Sequence, residues 1–420
     1  MPLSKTPPPS TGADDTAVLP RWLSIVGLGE DGVDGLSPVA RGLISAAEIV
    51  FGGRRHLGLA APLIRGATRP WPIPFAAATD EVLGHRRRQI CVLASGDPFH
   101  YGVGAVLARR IDPREMIVVP APSAFSLAAA RLGWSLPECV LLSVHGRTLD
   151  LVRPHLQPGA RILALTSDGE GPGAMAELLT ETGFGSSRLT VLEALGGIRE
   201  RIRSVAAAAF DFRDVDSLNI VAIEADAASD ARVLARSAGL ADALFDHDGQ
   251  ITKREIRALT LSSLAPRNGE LLWDIGSGSG SIAIEWMLAD LTMRAIAIER
   301  RDDRVARIRR NAGAFGVPGL EIVEAAAPEA LAGLPTPDAI FVGGGAGDPN
   351  VLDAAARALR PRGRLVVNAV TVKSESMLLM RHATLGGEMT RIAISRTGPL
   401  GAETGWRAAM PVTQWVWTKP

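Results

Sequence analysis

Cysteine, lysine and aromatic side chains are all scarce in this 420-residue chain. Two cysteines, Cys91 and Cys139, cannot build a disulfide framework and lack the spacing of a metal site, so no bound metal is expected. Cys91 falls inside the apolar run ICVLAS, the setting of a buried core thiol, and so little cysteine suits a cytoplasmic protein. Lysine occurs only at positions 5, 253, 373 and 419; arginine supplies the rest of the 45 basic residues, a bias read as a coding preference. An equal 45 acidic residues bring the net charge to zero, whereas nucleic-acid binders carry a basic excess, so no nucleic-acid partner is expected. No uninterrupted apolar run approaches the thickness of a bilayer, and the opening MPLSKTPPPSTGADDTA has no apolar signal core, so neither a membrane span nor a secretion signal is predicted. Aromatics make up 5% against 47% hydrophobic residues overall, leaving a core built mostly of Ala, Leu, Val and Ile. Such a core suits a layered α/β protein.

Residues 1–20 are polar and proline-rich and read as a disordered tail. From WLSIVGLG (22–29) onward, strand-like and helix-like runs alternate. The predicted strands of the first half are 22–29, 90–95, 115–120, 139–144, 161–166, 189–194 and 219–225, with helices such as SAFSLAAARLG and AMAELLTETG between them. Both of those helices end in glycine, a common residue just past a helix. The polar, alanine-rich DAASDARVLARS follows the last of these strands. A first domain is therefore placed at 21–225, a linker at 226–239 and a second domain at 240–420. The second α/β series has strands at 270–276, 294–300, 320–325, 338–344 and 364–370, with helices near 252–264, 280–290, 301–315 and 349–359. The halves do not align as a repeat, so unlike modules are joined.

The sharpest chemical signal is LLWDIGSGSGSIAIEW. An apolar strand runs into Asp274, Gly276, Gly278 and Gly280 alternate around Ser277, and a helix begins. Glycines let a backbone turn tightly and approach a bound group, and the helix start offers free N–H groups. The dinucleotide fingerprint spaces its last two glycines three apart; here the spacing is two and two. The next strand ends in Glu299, 25 residues after Asp274, where a carboxylate can accept from both hydroxyls of a ribose. Without a ligand, the same residues would make only a tight strand–helix turn.

This block resembles the Rossmann-like class I methyltransferases, which implies S-adenosylmethionine (AdoMet) as methyl donor. LFDHDGQITKREIRALTLSSL (244–264), FVGGG (341–345) and GRLVVNAVT (363–371) further resemble the decarboxylating precorrin C15-methyltransferases. That resemblance implies a role for Thr252 and Lys253 at the mouth of the AdoMet site. Thr252 also reads as the N-cap of the helix that follows, with Glu255 completing a capping box. One departure stands out: where relatives carry Gly-Asp-Ala-Pro, this chain reads Ala325-Ala326-Ala327-Pro328, so the carboxylate that the resemblance implies for the adenine amino group is missing, and either a backbone carbonyl near Ala327 substitutes or affinity for the donor is lower.

Three signals mark the first half. Gly27 and Gly29 close the first strand, Gly96-Asp97-Pro98 follows another, and Pro120-Ala121-Pro122-Ser123 leads from a third into a helix. Each alone is what an ordinary turn looks like. In this order they resemble the tetrapyrrole (corrin/porphyrin) methylases, a class III fold of two α/β subdomains holding AdoMet between them. By that resemblance Gly27, Gly29, Gly96, Asp97, Pro98 and Ser123 line the donor site, and Gly27 opens the tetrapyrrole cleft. LLSVHGR, TSDGEGP and EALGGIRERI resemble the precorrin C5-methyltransferase branch, which makes His145 and Arg147 candidates for a catalytic or substrate role beside Lys253 of the second half. His145 reads equally as a hydrogen-bonded loop residue.

A C5-type domain followed by a C15-type domain is the order of the fused C5,15-methyltransferases that also decarboxylate their precorrin. The resemblance implies two AdoMet sites, one per domain, a late metal-free precorrin as substrate, methylation at ring carbons 5 and 15, loss of the ring C acetate carboxyl in cobalamin synthesis, and a homo-oligomer. Two alternatives stay open: a fusion acting on RNA or another small molecule, and a first half that only holds the corrinoid.

Overall fold

The computed structural model describes residues 21–73 and 75–420, so the tail expected at 1–20 lies outside the described residues. The main division between compact units falls between Val233 and Leu234. Residues 226–239 form no helix or strand. Leu234 is buried in the core of the second unit, so part of the expected linker is packed structure.

The first unit holds two sheets. One is fully parallel, in the order β3-β2-β4-β1-β5, from β1 (Leu23–Leu28), β2 (Ile49–Gly52), β3 (Ala67–Pro70), β4 (Ile90–Ser95) and β5 (Met116–Val119). Its central strands are buried on both faces, as a parallel sheet covered by helices requires. Trp22, Ile25, Phe51 and Val92 pack on one face, and Val26, Ile44, Val50 and Cys91 on the other. Cys91 is thus the core thiol expected, and burial pushes it up to about 12. The second sheet runs β6-β7-β10-β8-β9, from β6 (Cys139–Ser143), β7 (Arg161–Leu165), β8 (Arg188–Glu193), β9 (Arg201–Ala206) and β10 (Asn219–Glu224). Only β6 and β7 pair parallel; the rest is antiparallel. The helix Ala124–Leu132 joins the two sheets in sequence. It starts at Ser123, whose Oγ accepts from the Ser126 N–H at 3.2 Å, and stops at Gly133 in the left-handed region, φ +67°.

The second unit is a seven-stranded sheet in the order β13-β12-β11-β14-β15-β19-β16. Its parallel part comprises β11 (Leu271–Ile275), β12 (Arg294–Glu299), β13 (Glu321–Glu324), β14 (Ala339–Val342) and β15 (Arg364–Ala369). β16 (Glu388–Ile392) and β19 (Val412–Thr418) add antiparallel, and between them β17 (Ser395–Leu400) and β18 (Glu403–Ala408) form a separate hairpin. Leu272, Trp286, Phe315 and Phe341 fill one face, and Trp273, Ile298, Leu365 and Trp415 the other. Strand order reverses around β11, which sits between β12 and β14. In open α/β sheets, such a switch point at the carboxyl ends is where ligands bind. Among the described residues, no helix is long and apolar enough to cross a membrane.

Candidate active sites

In the first unit, three loops distant in sequence converge at the carboxyl ends of β1, β4 and β5. The Gly96 N–H donates to Leu28 O at 3.1 Å, and the Ala121 N–H to Gly96 O at 3.1 Å. A Cβ on Gly27 would lie 1.9 Å from Gly96 O and 2.5 Å from the Ala121 nitrogen, so only glycine allows these backbones to meet. Gly96 is itself at φ +52°, and a Cβ there would run into Pro122 and Ser123. The structure therefore brings Gly27, Gly96, Asp97, Pro98 and Ser123 together. Asp97 Oδ1 accepts from the Phe99 N–H at 2.8 Å, which fixes the turn rather than leaving that oxygen open. Gly29 lies next along the β1 loop, against Asp31.

His145 and Arg147 are exposed after β6. His145 Nδ1 contacts Thr166 O at 3.2 Å, the arrangement of a hydrogen-bonded loop residue. Arg147 lies near Tyr101, on the loop that follows Asp97-Pro98. Burial pushes the Tyr101 phenol up, and the Arg147 charge opposes that shift.

In the second unit, Gly276, Gly278 and Gly280 all have left-handed φ, at +70°, +62° and +79°. A Cβ on Gly276 would lie 2.6 Å from the Cα of Gly344, in the FVGGG loop after β14. The glycine loop thus closes on the switch point between β11 and β14. Glu299 is buried at the end of β12, and its Oε2 accepts the Gly278 N–H at 2.9 Å. Asp274 is wholly buried. Its Oδ2 accepts from Ser277 Oγ at 2.7 Å and the Ala283 N–H at 3.2 Å, while Oδ1 and the nearby Ser279 Oγ are buried without a partner. Buried polar atoms without partners are costly, so two of them beside a glycine cradle fit a bound polar ligand. Burial raises the Asp274 carboxyl to about 6. Ala327, on the loop after β13, is half-buried.

The segment before the helix Arg254–Leu264 is strapped across this loop. Gln250 O lies 3.7 Å from where a Gly278 Cβ would be. Arg304 binds Asp248 at 2.9 Å and Gln250 Oε1 at 2.8 Å, and Arg310 binds Asp246 at 2.6 Å. Arg310 holds the Asp246 carboxyl below the usual carboxylate range. Buried Asn311 ties both parts together: its Nδ2 donates to Ser279 O at 2.8 Å and Asp246 O at 2.9 Å, and its Oδ1 accepts the Asp246 N–H at 2.9 Å. Nothing local in the sequence marks Asn311.

The expected cap is one residue off. Lys253, not Thr252, is the N-cap, with no side-chain cap bond. Glu255 then falls at N2 and pairs with Arg396 instead of closing a capping box. Arg257 explains the shift, because its guanidinium binds the Thr252 carbonyl. It is fully buried, pairs with Glu285 at 2.5 Å and Asp242 at 3.1 Å, and lies 4.8 Å from the Phe245 ring centre. Glu285 in turn accepts the Gly239 and Leu240 N–H groups at 2.6 and 3.0 Å. Lysine would keep the charge but not the fork. Arg257→Lys is therefore expected to cost roughly 1–2 kcal/mol of stability, read as a lower urea midpoint with unchanged slope.

Comparison with known proteins decides the family. Residues 23–210 match the family described as Tetrapyrrole (Corrin/Porphyrin) Methylases, and residues 243–419 match the Precorrin methyltransferase domain. The chain is 60% identical over 405 residues to a Precorrin-6Y C(5,15)-methyltransferase [decarboxylating] of Sinorhizobium sp., covering 96% of this chain and 98% of that one. It belongs to the decarboxylating precorrin C5,15-methyltransferase family. Two shorter relatives resemble parts of this methyltransferase. A probable cobalt-precorrin-6B C(15)-methyltransferase (decarboxylating) of Pyrobaculum calidifontis is 35% identical, over 41% of this chain and 92% of its own length. A cobalt-precorrin-7 C(5)-methyltransferase of Salmonella typhimurium is 29% identical, over 43% of this chain and 88% of its own length. The family uses AdoMet, and the chemistry of the residues present fits that donor: Glu299 could hold a ribose, and the unpartnered atoms of Asp274 and Ser279 an amino acid moiety. Among the described residues, no cluster of His, Cys, Asp and Glu could hold a metal ion.

Proposed function

We propose that this cytoplasmic enzyme methylates a late precorrin twice, with one AdoMet site in each unit. The first unit methylates ring carbon 5. The second methylates carbon 15 and releases the ring C acetate carboxyl as carbon dioxide, in cobalamin synthesis. The observation that carries this reading is the pair of glycine cradles, at Gly27–Gly96 and Gly276–Gly280, in halves that match the tetrapyrrole methylases and the precorrin methyltransferase domain.

AdoMet supplies an already activated methyl group on its sulfonium. What the chain must add is placement, since an in-line approach of the ring carbon supplies much of the rate. Gly27 and Gly276 let neighbouring loops close tightly around each donor site, Glu299 accepts from the donor's ribose, and the strap at 246–250 lies against the second glycine loop. The conjugated ring takes up the electron pair left by carbon dioxide, so the chain needs no electron sink of its own.

The test is mass spectrometry of the product formed from AdoMet and the reduced precorrin. Two methyl groups gained and one carbon dioxide lost are expected. An unchanged precorrin mass would overturn the reading.

A further inference from the structure

We propose that Arg55 and Arg199, held in place by Glu30, bind peripheral carboxylates of the tetrapyrrole at the first site, with Ile198 against the apolar face of the ring. This rests on the function proposed above.

The three charged residues come from separate parts of the first unit. Glu30 follows Gly29 directly on the β1 loop. Arg55 opens the helix Arg54–Ala60 just after β2, and Arg199 lies on the loop between β8 and β9, in the other sheet. Glu30 is nearly buried, with 11% of its side chain exposed, yet it receives both guanidinium groups: Arg55 Nη1 on Oε1 and Arg199 Nη2 on Oε2 at 3.5 Å. The two loops are also pressed together, because a Cβ on Gly197 would lie 2.7 Å from the Glu30 Cβ. The loop reaches this position through a strained start, with Ala194 at φ +43° and Gly196 at φ +84°.

The arginines are not used up by Glu30. Arg55 Nη2 touches Ser95 Oγ at 3.0 Å and His56 Nε2 at 2.9 Å. Ser95 is exposed at the end of β4, immediately before the Gly96-Asp97-Pro98 turn. Burial, followed by the Arg55 charge, pushes His56 down to about 4, so at neutral pH this imidazole adds no competing charge. Arg199 also pairs with Asp216 and remains more than half exposed. A guanidinium has five N–H donors, so Arg199, paired with Glu30 and Asp216 but more than half exposed, keeps donors for a second carboxylate, and Arg55, on the same Glu30, is one-third exposed.

Between Gly197 and Arg199 stands Ile198, fully exposed. A lone exposed isoleucine needs no explanation, but this one directly precedes Arg199 on the loop pressed against Glu30. A flat apolar macrocycle with carboxylates on its rim carries the complementary pattern. The donor itself has only one carboxylate and no large apolar face, so it matches the arrangement less well.

The test uses the full chain, with methylation at carbons 5 and 15 followed separately by mass spectrometry. Arg55→Ala and Arg199→Ala are each expected to raise the precorrin KM of the carbon 5 step by about tenfold or more, with kcat and the AdoMet KM little changed. Ile198→Ser raises the same KM by a smaller factor. Arg55→Lys keeps the charge without the fork and restores only part of the loss. An unchanged AdoMet KM for the carbon 5 step and a native circular dichroism spectrum report that the first unit of each variant is folded. An unchanged precorrin KM in both alanine variants would overturn the proposal while leaving the two-site reading intact. So would a fall in the carbon 5 kcat with a lowered Tm and an unchanged precorrin KM, the mark of a merely structural knot. A wild-type chain that leaves every precorrin unmethylated at carbon 5 would overturn both.

Discussion

Gly27→Ala is expected to lower methylation at carbon 5 by about a hundredfold or more while leaving the carbon 15 methylation and the decarboxylation in place. A methyl group at this position would overlap Gly96 O and press on the Ala121 nitrogen. Both obstacles are backbone, at the ends of strands paired with β1 in a parallel sheet, so neither can swing aside as a side chain could. Relief requires the carboxyl end of the sheet to open, and that is where the donor must sit. Gly276→Ala should give the mirror result. Its Cβ would meet Gly344, and the left-handed φ adds roughly 1–2 kcal/mol of strain. Carbon 15 methylation would be lost while carbon 5 methylation stays in place. Product masses from the two variants, each checked for a native circular dichroism spectrum, separate the units. If Gly27→Ala left both methylations intact, the first unit would be a corrinoid-binding module, the alternative left open by its sequence.

How far the two sites were legible in the sequence follows from the range of the interactions that make them. The glycine loop of the second unit is local: Asp274, the three glycines and the following helix are neighbours in the chain, and the left-handed φ values are those for which glycine was read. The loops at Gly27, Gly96 and Ser123 were each legible only as turns. Their meeting depends on strand order, which places β1 between β4 and β5. Edge strands were harder. β3, whose residues are all exposed, and β9, which is largely so, offer no apolar run to detect. β16 to β18 are likewise polar, and even the apolar β19 owes its place to distant pairing with β15. Thr252 shows the opposite failure. Its local cap signal was sound, but fully buried Arg257 claims the Thr252 carbonyl, and tertiary bonding moved the helix start by one residue. Asn311, Glu285 and Glu30 act across 46 residues or more in at least one of their bonds, so no spacing rule could have marked them.

Asp274→Asn is expected to stabilise the free protein at neutral pH while disabling the second site. In the folded chain the Asp274 carboxyl is raised to about 6 from a usual 3.8, because it is wholly buried and only one of its oxygens is satisfied. Below pH 3.8, folded and unfolded chains both hold the proton and the residue makes no difference. Between 3.8 and 6 the folded chain keeps a proton that the unfolded chain has lost, so stability falls as pH rises. Above 6 the cost is fully present, about 3 kcal/mol for a shift of roughly two pH units. Asparagine does not ionise, and its oxygen can still accept the bonds from Ser277 and Ala283. The Tm of the variant should therefore exceed that of the wild type above pH 6, and the gap should close as pH approaches 4. AdoMet binding at the second site should fall in the same variant, since an amide carries no negative charge for a cationic amino acid group. Thermal melts across this pH range, with and without AdoMet, measure both effects. A variant less stable than the wild type at pH 8 would show that the buried carboxylate is held by more than its two visible bonds. A variant that binds AdoMet as before would remove Asp274 from the site.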